Sequence, residues 1–167
     1  MSKNIVLIGM SGCGKTTIGE MLARKLGYDF LDTDEVVESF GMTIEELFES
    51  GEKSFRYVET MAVKQVAGYH SAVISTGGGV VTVAENMEYL KQNSVVVFIR
   101  RDINRIKKSL EKEADTRPLL KDESALERLY LQRVSLYEKY ADFIVDNNGS
   151  IYKVCDEIIK KYEEIGK

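Results

Sequence analysis

A chain of 167 residues, 44% hydrophobic and 30% charged, is long enough to form one domain with a substantial buried core. This composition excludes a disordered protein, and no apolar run approaches the roughly 20 residues that a membrane-spanning helix needs. A net charge of −4 argues against a nucleic-acid-binding surface. The first strand begins almost at once, with no signal-peptide pattern before it, so we expect a cytoplasmic protein.

The first elements of the chain are a strand, a glycine-rich loop and a helix. Ile5–Ile8 is an apolar strand, and Thr17–Leu26 has the spacing of an amphipathic helix that ends at Gly27. The loop between them, Gly9–Thr16, has the sequence GMSGCGKT and fits the phosphate-binding pattern of Gly, four residues, Gly, Lys and Ser or Thr. Backbone N–H groups of such a loop form an anion-binding nest at the N-terminus of the helix. The alternative is a plain glycine-rich turn with an exposed lysine.

Lys15 and Thr16 are the residues of this loop whose side chains carry chemistry. A lysine at this position reaches the β- and γ-phosphates of a nucleotide, and the threonine hydroxyl ligates Mg²⁺. Cys13 is interpreted as a small residue that fits the loop. The loop therefore predicts nucleotide binding, but it does not name the second substrate.

A pair of carboxylates follows the second predicted strand, Tyr28–Leu31. Asp32 and Asp34 are separated by one residue, so an extended segment places both side chains on the same face. Near Mg²⁺ and Lys15, one carboxylate can hold metal-bound water while the other accepts a proton from an attacking hydroxyl. The alternative interpretation is a solvated strand end.

Strands and helices alternate along the rest of the chain. The predicted helices are 44–49, which begins with a capping box at Thr43 and Glu46, then 53–67, 83–91, a helix capped by Asp102, 122–140 and 151–165. The predicted strands are 72–76, 94–99 and 143–145. This alternation of short apolar strands with helices predicts an α/β fold, in which helices cover both faces of a parallel sheet. Ligands of such sheets bind at the carboxyl ends of the strands, so we expect the loop, the aspartate pair and Gly77–Gly79 to meet there.

Two arginines and three consecutive glycines are further candidates for a binding site. The guanidinium groups of Arg56 and Arg133 suit a carboxylate, although either arginine could equally form a surface salt bridge. The glycines Gly77–Gly79 allow a ligand to approach the backbone closely, and their alternative interpretation is a tight turn between a strand and a helix.

A polar stretch without periodicity, 111–116, precedes Arg117 and Pro118, the only proline of the chain. Proline favours an extended conformation for the residue before it. We predict that this segment is a mobile lid that closes over a nucleotide. An exposed connection between two helices is the alternative.

Taken together, these motifs resemble those of the shikimate kinase family, over nearly the whole chain. The motifs that carry the resemblance are G-x-S-G-x-G-K-T at 9–16, D-T-D at 32–34, G-E-x-x-F-R-x-x-E at 51–59, G-G-G at 77–79, R-P-L-L at 117–120 and R-x-x-x-Y…A-D at 133–142. Many NTPases share the first motif, whereas the others, in this order and at these spacings, are specific to the family.

The resemblance implies a kinase that transfers the γ-phosphate of ATP to the 3-hydroxyl of shikimate, in aromatic amino-acid biosynthesis. It implies a nucleoside-monophosphate-kinase-like fold, a three-layer αβα sandwich with a five-stranded parallel sheet in strand order 2-3-1-4-5. It also implies a single domain over 1–167, with a shikimate-binding helical region at about 33–60 and a lid at about 109–123. The expected partners are ATP, Mg²⁺ and shikimate, with no nucleic acid and no membrane, and we expect a monomer.

The resemblance also implies roles for individual residues. ATP binding is expected at Gly12, Cys13, Gly14, Lys15, Thr16, Thr17 and Arg117, with Ser150 on the adenine side. Mg²⁺ binding is expected at Thr16 and, through water, at Asp32. Shikimate binding is expected at Asp34, Arg56, Gly78, Gly79 and Arg133, with both arginines on the carboxylate. The expected catalytic residues are Asp34, Lys15 and Arg117, the last reaching the phosphates from the lid.

Two other functions compete with this interpretation. One is a kinase of a different small polar metabolite, such as gluconate or a nucleoside monophosphate. The other is a nucleotide-binding or regulatory domain without catalytic activity. The presence of Lys15, Thr16, Asp32 and Asp34 together argues against a silent domain, and the motifs after the phosphate loop favour a shikimate kinase over the other kinases.

Overall fold

Five strands alternate with eight helices within residues 2–112 and 123–166, the part of the chain that the computed structural model describes. The strands are β1 (Asn4–Ile8), β2 (Asp29–Asp32), β3 (Ala72–Ser75), β4 (Ser94–Arg100) and β5 (Phe143–Asp146). The helices are α1 (Lys15–Leu26), α2 (Thr33–Ser39), α3 (Ile44–Glu49), α4 (Glu52–Ala67), α5 (Ala84–Lys91), α6 (Ile103–Glu111), α7 (Glu123–Tyr140) and α8 (Ile151–Ile165). A 3-10 turn, Val80–Thr82, links the triple glycine to α5.

The sheet is parallel throughout, and its strand order is β2-β3-β1-β4-β5. β1 lies at its centre, where Ile5 is in register with Val73 on one side and Val95 on the other. All five residues of β1 are buried, as expected for a strand that is covered on both faces. The α/β class, the αβα sandwich and the strand order are therefore confirmed.

The apolar residues form two clusters of different size. The large cluster surrounds the sheet, whereas a small one joins Val37 of α2, Leu47 of α3, and Phe55 and Ala62 of α4. The rings of Phe48 and Phe55 stack at 4.5 Å within the small cluster. The helices α2 to α4 thus have a core of their own beside the main core.

Helix α2 was not predicted as an element of its own, although the resemblance implied a helical region at about 33–60, and it corrects the interpretation of Asp32–Asp34 as extended. Asp32 ends β2 and caps the helix, because its side chain accepts a hydrogen bond from Asp34 N at 2.8 Å. Asp34 and Glu35 then lie in the first turn, where the helix dipole favours negative charge. Asp34 therefore projects from a helix, not from a strand. By contrast, the capping box at Thr43 and Glu46 is confirmed.

Two further expectations concern the lid and the membrane. The predicted lid falls largely on residues 113–122, which are outside the described residues, as are its Arg117 and Pro118. Among the helices that the structure does describe, none combines the length and the apolar character that crossing a bilayer requires.

Candidate active site

The phosphate loop turns between β1 and α1 through two glycines in the left-handed region. Gly12 has φ 81° and Gly14 has φ 99°, values that L side chains rarely adopt. Gly14 is also the residue that caps α1, so the loop delivers its backbone to the N-terminus of that helix. A helix N-terminus with several backbone N–H groups is a site for anions.

Lys15 is buried beneath this loop and is only 7% exposed. Its ammonium group donates hydrogen bonds to Gly9 O at 2.6 Å and Met10 O at 2.8 Å. It also lies 3.6 Å from the sulfur of Cys13, which is fully buried. The alternative of a plain turn with an exposed lysine is therefore wrong, because Lys15 is buried and hydrogen-bonded to carbonyl groups of the loop.

Thr16 and Asp32 meet across the mouth of the loop. The Thr16 hydroxyl donates to Asp32 Oδ2 at 3.4 Å, while Asp32 Oδ1 accepts from the backbone of α2. A hydroxyl and a carboxylate are hard oxygen ligands that suit Mg²⁺, which usually binds one or two carboxylates together with substrate phosphates and water. The described residues contain no group of three or more His, Cys, Asp or Glu that could hold a metal by themselves. The donor set thus fits a magnesium ion that arrives with a nucleotide.

A cavity of about 210 Å³ lies at the carboxyl ends of β1, β2 and β3 and brings most of the predicted site residues together. The predicted residues that line it are Gly12, Gly14, Lys15, Thr16, Thr17, Asp32, Asp34 and Gly78. Ser150, which is exposed at the start of α8, is not among the lining residues, and neither are Cys13, Arg56, Gly79 and Arg133. The meeting of the loop, the aspartate pair and the triple glycine at one edge of the sheet is therefore confirmed.

The first and third glycines of the triple glycine make room for side chains of the protein itself. A Cβ atom at Gly77 would lie 3.0 Å from both Asp34 Oδ1 and Glu59 Oε2. A Cβ atom at Gly79 would lie 2.6 Å from Arg56 Nη1, which is closer than real Cβ contacts come. Side chains from α2 and α4 therefore pack directly on this backbone, a use of the glycines that the sequence analysis did not consider.

Glu59 holds Arg56 in that position. Arg56 Nη1 and Glu59 Oε1 are 2.9 Å apart, one helical turn from each other on α4, and the side chain of Glu59 is fully buried. Glu59 Oε2 and Arg56 Nε are buried without a hydrogen-bond partner among the described residues. Burial raises the pKa of Glu59, while the charge of Arg56 opposes that shift. Glu59 belongs to the motif at 51–59, but no role was predicted for it.

Arg133 reaches the middle glycine from α7. It is only 6% exposed, and a Cβ atom at Gly78 would lie 3.3 Å from Arg133 Nη1 and 3.0 Å from Ser11 Oγ. Gly78 therefore lies between the phosphate loop and an arginine of a distant helix. A side chain at this position would make tighter contacts than most Cβ atoms do, and these neighbours would have to move by a few tenths of an ångström.

Tyr137, one turn after Arg133, fixes the same glycine. Its hydroxyl donates to Gly78 O at 2.5 Å, and its ring stacks on Phe98 with 5.0 Å between centroids. The side chain is fully buried, which raises the pKa of its hydroxyl and keeps it a hydrogen-bond donor. Tyr137 was also quoted only as part of a motif, because no local pattern indicates that its hydroxyl meets the triple glycine.

Comparisons with known proteins agree on one family. A sequence model of the family described as shikimate kinase matches residues 11–163. The shikimate kinase of Thermodesulfovibrio yellowstonii is 46% identical, with 98% of this chain and 96% of that protein covered. The chain belongs to the shikimate kinase family. A second relative, the shikimate kinase of Clostridium botulinum strain Alaska E43, is 43% identical over 96% of this chain and 97% of its own length.

Solved structures of shikimate kinases share the fold. The shikimate kinase from Acinetobacter baumannii in complex with shikimate superposes with a TM-score of 0.93 at 34% identity, covering 98% of this chain and 94% of that one. A gluconokinase from Sinorhizobium meliloti 1021 superposes with a TM-score of 0.66 at 16% identity, a similarity that concerns the fold alone. The resemblance noted in the sequence is thus confirmed at the level of family and fold.

Proposed function

We propose that this chain transfers the γ-phosphate of ATP to the 3-hydroxyl of shikimate, giving shikimate 3-phosphate and ADP, as a step of aromatic amino-acid biosynthesis. The observation that supports this best is the convergence of Arg56 and Arg133 on Gly77–Gly79, directly beside the phosphate loop. We call the loop Gly9–Thr16 with its Mg²⁺ ligands the phosphate side. We call the triple glycine with Asp34, Arg56, Glu59, Arg133 and Tyr137 the acceptor side.

On the phosphate side, the backbone of Gly12–Thr17 binds the phosphates of ATP. Lys15 binds the phosphate oxygens while the carbonyl oxygens of Gly9 and Met10 hold its ammonium group, which has three N–H donors. Thr16 and, through water, Asp32 hold Mg²⁺, which neutralises charge on the phosphates. Catalysis of phosphoryl transfer depends mainly on such positioning and charge stabilisation.

On the acceptor side, Arg56 and Arg133 bind the carboxylate of shikimate, and the backbone of Gly78 and Gly79 approaches it closely. Guanidinium groups suit an anionic ligand, and those of Arg56 and Arg133 lie directly beside Gly79 and Gly78. Asp34 lines the cavity together with the phosphate loop, and its Oδ1 lies close to Gly77. It orients the attacking hydroxyl and accepts its proton as phosphoryl transfer proceeds.

The remaining assignments complete the proposal. Arg117, from a lid at about 109–123, adds positive charge to the phosphates in the transition state, and Ser150 lies on the adenine side. The helical region 33–60 binds shikimate as part of a single domain over 1–167, and the separate small core of α2 to α4 supports its treatment as a unit. A monomer in the cytoplasm remains the expectation.

Identification of the product tests this function. The purified chain is incubated with MgATP and shikimate, and the products are followed by phosphorus and proton NMR. We expect one new phosphate ester, coupled to the proton on carbon 3, in an amount equal to the ADP formed. Chelation of Mg²⁺ with EDTA should abolish the reaction, and excess Mg²⁺ should restore it. An ester at another hydroxyl, or ADP without any shikimate ester, would contradict the proposal.

A further inference from the structure

Two carbonyl groups of the phosphate loop are held from outside the loop. Arg101, which follows β4, donates from Nη1 to Gly12 O at 2.8 Å. Asn147, which follows β5, donates from Nδ2 to Cys13 O at 2.8 Å. Both donors thus come from the carboxyl ends of β4 and β5, the two strands on one side of β1 in the sheet. No local pattern in the sequence predicts this role for either residue.

The hydrogen bond from Arg101 continues through the loop to Lys15. In a trans peptide the C=O of one residue and the N–H of the next point in opposite directions, so fixing Gly12 O also fixes the N–H of Cys13. That N–H donates to Met10 O at 3.1 Å, and the same Met10 carbonyl accepts from Lys15 Nζ at 2.8 Å. A chain of hydrogen bonds therefore links the Arg101 guanidinium to the lysine that meets the phosphates.

Arg101 also connects this loop to α6. Its Nη1 donates to Ser109 Oγ at 2.9 Å, and both residues line the cavity with the phosphate loop. Its Nε is buried without a hydrogen-bond partner among the described residues, and no carboxylate of residues 2–112 or 124–166 forms an ion pair with it. A partly buried cation that is held by a carbonyl and a hydroxyl favours an anion in the adjoining cavity.

The neighbouring arginine shows that this placement is specific. Arg100 forms an ion pair with Asp146 at 2.6 Å, with both side chains close to half exposed. Such an exposed pair contributes little to stability, and within residues 2–112 and 123–166 the Arg100 side chain hydrogen-bonds to Asp146 and not to the phosphate loop. Consecutive arginines thus have separate environments, one on the surface and one at the cavity.

We propose that Arg101 is a positioning residue for the nucleotide: it fixes the phosphate loop in its binding arrangement and adds positive charge beside it. This inference rests on the proposed function only in requiring that the loop bind a nucleotide. Because a hydrogen bond from a charged donor is about twice as strong as a neutral one, its loss should weaken nucleotide affinity clearly while leaving shikimate affinity unchanged.

Calorimetric titration of the full chain with ADP and Mg²⁺, without shikimate, tests the inference. Arg101→Met keeps the volume of the side chain but removes its charge and donors, and we expect the Kd for ADP to rise about tenfold. Arg101→Lys keeps a charged donor, so its Kd for ADP should lie between those of Arg101→Met and the wild type. Arg100→Met is the matched control and should stay within about twofold of the wild type.

The outcomes separate a specific role from general damage. An unchanged Kd for ADP in Arg101→Met, or an equal loss of ADP and shikimate affinity, would overturn the inference. If Arg101→Met does not fold, Arg101→Lys is titrated in its place. We expect its Kd for ADP to exceed that of the wild type while its shikimate affinity is unchanged. Wild-type affinity for ADP together with lost shikimate affinity would contradict the inference. ADP binding needs no turnover, so a chain that binds ADP in this way but does not phosphorylate shikimate refutes the proposed function alone.

Discussion

The phosphate side and the acceptor side of the site place positive charge beside a ligand in different ways. On the phosphate side, Lys15 is held by the carbonyls of Gly9 and Met10 within one short loop. On the acceptor side, Arg56 is held by Glu59, a carboxylate that is fully buried. The first arrangement uses the backbone of a continuous segment, and the second uses side chains from α2, α4 and α7 that pack against three glycines.

This difference determines how each side should respond to substitution. Carbonyl dipoles remain when a side chain is changed, so damage on the phosphate side should be confined to nucleotide binding and chemistry. Removing one partner of a buried charge pair leaves the other charge uncompensated, which is costly. Substitutions on the acceptor side should therefore lower shikimate affinity and, for Glu59 and Tyr137, alter stability as well.

The largest effect is expected at Asp34, where the two sides meet. Asp34→Asn keeps the shape of the side chain but removes the proton acceptor, so kcat should fall by about 10²- to 10⁴-fold. The Kd for ADP should not change, because the phosphate loop is untouched. ADP release at saturating substrates provides the measurement, with Glu35→Gln, an exposed neighbour on α2, as the control. A near-normal kcat would show that the carboxylate is only structural.

Arg133→Met should separate the two sides most clearly. Loss of one buried, charge-paired contact typically costs about 2–5 kcal/mol, so the KM for shikimate should rise about 30-fold or more. The KM for ATP should stay within about twofold. Steady-state kinetics with each substrate varied in turn checks this, and Arg128→Met, at an exposed position on the same helix, serves as the control. Equal rises in both KM values would mean that the two sides are not independent.

Glu59→Gln should affect both affinity and pH dependence. The KM for shikimate should rise about tenfold, because a neutral amide holds Arg56 less firmly. Burial raises the pKa of Glu59 from its ordinary 4.5, so its carboxyl contributes stability below that value and loses it as pH rises through the folded-state pKa. The melting temperature of the wild type minus that of Glu59→Gln should therefore decrease from pH 4.5 upwards.

A difference in melting temperature that is constant or increases with pH would contradict that placement of Glu59. Melting curves of both proteins in matched buffers at constant ionic strength are sufficient, because the comparison cancels the titration of the other carboxylates. Glu52→Gln is a useful control, since Glu52 also contacts Arg56, at 3.3 Å, but is more than half exposed. The difference in melting temperature between the wild type and Glu52→Gln should depend little on pH.

The smallest effect is expected for Tyr137→Phe, which removes one hydroxyl and leaves Gly78 O without that donor. A buried acceptor without a partner costs about 1–3 kcal/mol, which lowers the melting temperature of a protein of this size by a few degrees. The KM for shikimate should rise several-fold, with the Kd for ADP unchanged. Tyr130→Phe on the same helix is the control. A normal KM for shikimate in Tyr137→Phe would mean that Tyr137 contributes to packing and not to shikimate binding.

The two sides also differ in how far the sequence predicts them. The phosphate loop could be predicted because its pattern, its strand and its helix are contiguous, and the capping box of α3 is equally local. Asp34 was placed on an extended segment because Asp32 was not recognised as the cap of α2. Tyr137 and Arg101 were missed as individual contributors because their partners are backbone carbonyls that are distant in the sequence. Glu59 lies only one helical turn from Arg56, but no periodicity shows that its polar side chain will be buried.

The most direct test of the account is ADP release from MgATP in the presence of shikimate, gluconate or a nucleoside monophosphate, each at the same concentration. The chain belongs to the shikimate kinase family and its acceptor side holds two arginines, so we predict turnover with shikimate and background rates with the other compounds. In-line attack requires the hydroxyl to be held against the γ-phosphate, so ADP release without an acceptor should be negligible. Equal turnover with gluconate, or none with shikimate, would contradict the account.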